Sequence, residues 1–116
     1  MIDPSSIPSK TMNIRELLSR YAAGQRDFRN LNLIAVNLRN MNLSGINLSG
    51  SNMTHANLTR TNLSHANLSG AVLVSAKFSG TDFTQANLAN ANLSETCLDN
   101  ANFNSAHLTG ATMPKK

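Results

Sequence analysis

A column of apolar side chains recurs at every fifth residue of this chain: Phe28, Leu33, Leu38, Leu43, Leu48, Met53, Leu58, Leu63, Leu68, Leu73, Phe78, Phe83, Leu88, Leu93, Leu98, Phe103, Leu108 and Met113. All eighteen are Leu, Phe or Met, and every phenylalanine of the chain falls among them. In a chain that is 41% hydrophobic, so many hits in one register would arise by chance with a probability of roughly 10⁻⁷. The neighbouring columns are biased too. Two residues before each centre, every position from Ser51 to Ala111 is Ala, Ser or Thr. Directly before the centre, Asn or Asp occupies thirteen of eighteen positions, and directly after it Ser or Thr occupies ten. The unit reads small–Asn–Leu–Ser/Thr–variable, as in Ala56-Asn57-Leu58-Thr59-Arg60.

A period of five fits neither regular element. On an α-helix five residues advance roughly 500°, so the leucines would wander around the cylinder. In a straight strand, residues five apart point to opposite sides. Leu58 and Leu63 can share one interior only if the chain bends once per unit. Repeated bending in one sense makes a coil, and stacked coils pair through their backbones like a parallel sheet. The centre and the small residue two before it then point inward. The other three face out, where Asn, Asp, Ser and Gly suit turns by bonding nearby backbone or tolerating left-handed angles.

The period alone does not set the number of sides. The repeat resembles the pentapeptide-repeat family over residues 27–113, about three quarters of the chain. The resemblance implies an all-β solenoid, a right-handed quadrilateral β-helix with four units per coil and about 4.5 coils here.

Residues 1–11, with two prolines and three serines, read as a flexible tail. A capping helix is predicted within 12–25. Asn13 and Glu16 have capping-box spacing, Ile14, Leu17, Leu18, Tyr21 and Ala22 form one apolar face, and Gly24 supplies a stop. That face should lie across the first coil, since terminal repeats otherwise expose their core and unpaired edges. The bulky Leu31, Val36, Met41 and Ile46 in the otherwise small column would widen this contact. The solenoid is expected over 26–114, followed by a basic tail, 115–116. The last coil should present its edge and the Leu93–Leu108 interior to solvent, which favours a homodimer joined through that coil.

The net charge of +4 is unevenly placed. Residues 1–26 carry a net +2, Lys115 and Lys116 another +2, and the body from 27 to 113 sums to zero. Four scattered cations in the body make no phosphate-tracking stripe, and only 4% of residues are aromatic, so the sequence argues against nucleic-acid binding. No apolar run approaches the roughly 20 residues that span a bilayer, and the start lacks a signal-peptide pattern, so the expectation is a cytoplasmic protein without membrane attachment.

Chemistry-bearing residues do not converge. His55 and His65 fall half a coil apart, on opposite faces, and the acids are isolated, so no catalytic residue, cofactor site or metal site is expected and the chain reads as a non-enzyme. Cys97 should point outward one coil below Lys77, a setting that could favour its thiolate. Twenty-residue spacing also places Ile34 and Val74 on one face, with Val72 beside them where neighbouring coils have Asn, making a small apolar interaction spot. The expected function is a non-enzymatic scaffold or protein-protein interaction module with a protein partner of unidentified kind. Some members of the family mimic DNA and bind DNA gyrase. The neutral body and short stack argue against carrying that activity over.

Overall fold

The computed structural model describes residues 10–115. From Asp27 onward the chain winds into stacked coils joined by parallel bridges, each between residues twenty apart: Asp27 with Asn47, Asn47 with Asn67, Asn67 with Asn87 and Asn87 with His107 on one side. Corners follow at five-residue intervals, so each twenty-residue coil has four sides.

Three local devices make each corner. The carboxamide or carboxylate before the centre accepts a hydrogen bond from the backbone N–H just after it. Asn52 Oδ1 does this for the Thr54 amide at 3.2 Å, and Asn57 Oδ1 for the Thr59 amide at 3.0 Å. All thirteen Asn and Asp residues of that column make this bond, from Asp27 to Asn102. The residue two after the centre takes a left-handed conformation at every corner from Asn30 to Gly110, with φ between 56° and 74°. Positive φ at the third position of a four-residue turn marks a type II β-turn, which favours Gly or Asn there. Most turns are closed by the backbone bond to the centre's carbonyl, as from Ala56 N–H to Met53 O at 3.0 Å. The five-residue period is thus a turn period.

The ladder between coils has a consistent sense. In the units centred on Phe28 to Leu73, and again on Phe83 and Leu88, the centre amide and the corner amide both donate toward the following coil, as Leu33 does to Asn52 O and Ala35 to Thr54 O. One amide donates back, as Asn52 does to Leu31 O. Two bonds run forward for each that runs backward.

Centres from Phe28 to Leu93 are buried, most of them completely. The small column fits between them, and its hydroxyls are satisfied inside. Thr61 Oγ1 donates to Leu38 O, and Ser51 Oγ accepts from the Leu31 amide at 3.1 Å. Among the described residues, no buried side-chain nitrogen or oxygen lacks a partner. Phe83 stacks on Phe103 one coil below, with centroids 4.8 Å apart, and meets Phe78 edge-on at 5.3 Å.

The N-terminal end is covered twice. Strand β1 (Lys10–Thr11) pairs in parallel with β2 (Leu31–Asn32), laying an extra rung on the first coil. Helix α1 (Ile14–Ala22) follows. The Asn13 side chain accepts from the Glu16 amide, and Gly24 lies just beyond the helix with φ +103°. Leu17 and Met12 are buried, Ile14, Leu18 and Tyr21 are half-buried against the core, and Tyr21 Oη donates to Ser44 O at 2.6 Å. Leu31 and Ile46 are buried, while Val36 and Met41 are half-buried.

Four expectations are corrected. The expected tail over 1–11 lies outside the described residues except for Lys10 and Thr11, which form β1 because the first coil offers them an unpaired edge. Ala22 is exposed, because it closes the helix one turn beyond the contact made by Leu18. Leu93 is fully buried, because the chain of residues 112–113 still passes beneath it; the Leu93 amide donates to Thr112 O at 2.7 Å. Met113, expected in the core, is 42% exposed because no coil lies beneath it among the described residues.

Two substitutions test this construction. Leu63→Ala removes a fully buried centre and is expected to cost about 2–5 kcal/mol in urea unfolding. Ala35 holds φ +60°, so Ala35→Gly is expected to raise stability by about 0.5–1 kcal/mol in the same assay, since left-handed backbone costs an L-residue roughly 1–2 kcal/mol.

Candidate interaction surfaces

The flat sides are paved with short polar groups held by their own turns. Thr54 Oγ1 donates to Asn52 Oδ1 at 2.7 Å, and Ser64 Oγ to Asn62 Oδ1 at 2.7 Å. These bonds fix the hydroxyls and leave a rigid, largely uncharged surface. One side breaks the pattern. The Asn32, Asn52, Val72 and Asn92 rungs are in register, and Ile34, Thr54, Val74 and Ser94 run beside them. Ile34 is 50% exposed, whereas Val72 and Val74 are half-buried. Thr54 separates Ile34 from Val74, so the apolar spot is interrupted.

The C-terminal end is the larger apolar surface. Leu98, Phe103 and Leu108 are half-buried and Met113 is exposed, with Ala101 and Ala106 packed between them. No described segment covers this end. It contrasts with the N-terminal end, where β1 and α1 follow one another and Met12 and Leu17 are buried.

Between these ends, one side of the tube is parted. Lys77 and Cys97 are stacked, yet they form no bridge, although the other stacked pairs of that column from Asp27–Asn47 to Asn92–Thr112 all do. The Phe78 amide does not reach the Cys97 carbonyl, nor the Cys97 amide the Ala76 carbonyl. At the next corner the Gly80 amide donates to Asn100 O at 2.9 Å, one residue beyond the acceptor that the register elsewhere supplies. The Thr96 turn is closed by its hydroxyl, Oγ1 to Leu93 O at 2.6 Å, in place of its amide. A cleft of about 410 Å³ opens here, lined by Lys77, Phe78, Glu95, Cys97, Asp99 and Asn100 among others. Cys97 is a free, exposed thiol.

Other charged groups stay apart. His55 and His65 occupy alternate corners of one coil, each with positive φ, and therefore point away from each other. Among the described residues no cluster of His, Cys, Asp and Glu could hold a metal ion, and no helix is long and apolar enough to cross a membrane. The Arg29 guanidinium donates to Asp27 at 2.9 Å and holds that carboxyl below its ordinary value. Any stability from this pair is present above the ordinary carboxylate range and is lost as pH falls through the folded value. The pair is exposed, so its contribution is screened by solvent.

The family model for pentapeptide repeats matches in overlapping copies over residues 32–70, 51–88, 66–104 and 86–115. Among curated proteins, none matches this chain. A pentapeptide repeat protein of known structure from Nostoc PCC 7120 is 32% identical, over 92% of this chain and 88% of that one, with a TM-score of 0.50. HetL, a pentapeptide repeat protein involved in heterocyst differentiation regulation in Nostoc sp. strain PCC 7120, is 37% identical. The match covers 86% of this chain and 46% of HetL, with a TM-score of 0.46. QnrB1, a plasmid-mediated fluoroquinolone resistance protein, is 25% identical over 78% of this chain and 49% of that one, with a TM-score of 0.40. With its five-residue turn period, four-sided coils and matching repeats along most of its length, this chain belongs to the pentapeptide-repeat family, and its solenoid is a quadrilateral β-helix.

Proposed function

We propose that this protein is a non-catalytic interaction scaffold whose docking surface is the C-terminal end of the tube, and that the first occupant of that end is a second copy of the chain. The observation that carries this reading is the contrast between the two ends: β1 and α1 bury one, while Leu98, Phe103, Leu108 and Met113 form a half-exposed apolar platform at the other. Unpaired coil ends are aggregation-prone unless guarded or paired, and an isologous two-fold contact buries the platform on both partners at once. The polar sides, without net charge, act as rigid spacing and leave the ends to determine contact. A solenoid body with no net charge fits protein docking better than imitation of a polyanion.

Light scattering coupled to size exclusion tests the reading. The wild-type chain is expected to elute at dimer mass. Met113→Glu, at an exposed position, is expected to give a monomer with thermal stability changed by no more than about 0.5–1 kcal/mol. A wild-type monomer at every concentration would remove the dimer. The Ile34, Val72 and Val74 spot has its own test, a pull-down comparing wild type with Val72→Asn/Val74→Ser. The expected result is a specific partner lost from the variant, and identical partner profiles would retire the spot.

A further inference from the structure

We infer that the Lys77–Cys97 seam is a built-in weak joint, at which the coil beginning near Glu95 opens from the rest of the solenoid as a unit. The cause lies in the turns. An Asn or Asp before the centre fixes the chain's direction into the corner through its bond to the amide two residues on, and it does so wherever it occurs in this chain. Five units lack it, those with Val72, Lys77, Cys97, His107 and Thr112 at that position. Val72 stacks between Asn52 and Asn92, His107 beneath Asn87 and Thr112 beneath Asn92, and each of these pairs is bridged. Lys77 above Cys97 is the one stacked pair in which neither residue supplies the turn, and it is the pair whose bridge is missing. One anchored turn per stacked pair therefore suffices to seat a rung, and none does not.

The consequences spread along the strand. Without the rung, the Gly80 amide takes Asn100 O in place of the Asp99 carbonyl, and the next turn is closed only by a long bond, Ala101 N–H to Leu98 O at 3.4 Å. The cleft of about 410 Å³ between the two coils is the space the missing rung leaves. The other three sides of the same junction stay paired, through Asp82–Asn102, Asn87–His107 and Val72–Asn92. Opening therefore starts at one corner and swings the last coil about the opposite side. The joint sits immediately before the apolar end described above, but the inference does not depend on what docks there.

Hydrogen exchange of the full-length protein, resolved by NMR, tests this. The amides of Phe78 and Cys97 and those of the last coil are expected to exchange at least about tenfold faster than Leu73 and Leu88, because two ladder bonds are missing at the seam. Lys77→Asn/Cys97→Asn restores both turns and is expected to slow exchange throughout 95–112 by about tenfold. Two further variants test the rule away from the seam. Asn57→Ala leaves the 57–77 pair without a turn and is expected to speed exchange of the Leu58 amide, which now donates to Lys77 O at 2.9 Å. Asn37→Ala keeps its stacked partner Asn57 and is expected to leave the Leu38 amide protected. Equal protection of Phe78 and Leu73 in the wild type would overturn the inference. So would unchanged exchange in the double variant, or an Asn37→Ala effect as large as that of Asn57→Ala.

Discussion

The hydrogen bond from an Asn or Asp side chain to the backbone amide two residues on is the interaction from which the rest of this structure follows. It turns the chain at a fixed place in each unit, and the left-handed residue behind it completes the corner. Corners at five-residue spacing bring successive leucines to one interior despite the alternation of strand side chains. Stacking then turns local bends into a continuous core. Burial of the leucine column supplies the stabilisation, but the turns decide that there is a column to bury.

Much of this was readable in the residues. The eighteen centres, the inward small column and the cap helix opened by Asn13 and Glu16 all carry periodic or spacing signals, and the structure places them accordingly up to Leu93. The left-handed corner was less visible, because it falls in the column that looks variable. Gly or Asn stands at nine of its seventeen positions, but His55, Arg60, Gln85 and Glu95 obscure the bias. Strand β1 carried no signal at all. Two residues have no period, and Lys10–Thr11 become a strand only because the first coil leaves an edge to pair with.

The candidate surfaces divide in the same way. The half-exposed end is made by the last centres of the repeat, Leu98 to Met113, although the level at which burial fails, after Leu93, depends on a half-coil that only geometry supplies. The apolar spot is less exposed than its place in the repeat suggests: Val72 and Val74 are half-buried, because neighbouring rungs flank each valine. The seam lay in plain sight as two non-Asn residues twenty positions apart. Each is tolerable alone, and only their stacking makes a fault, so no inspection of single units would find it.

The two-to-one sense of the ladder gives the tube an electrical direction. Surplus carbonyl oxygens gather toward the first coil and surplus amide hydrogens toward the last, so the stack carries a macrodipole in the manner of a helix, pointing the opposite way along the chain. The side chains oppose it. Residues 14–40 hold five arginines against Glu16 and Asp27, whereas between 78 and 114 there are Asp82, Glu95 and Asp99 and no Lys or Arg. Glu95 and Asp99 thus stand against the amide-rich rim while Lys115 stands with it, so a partner meeting that end finds charges of both signs around an oily centre.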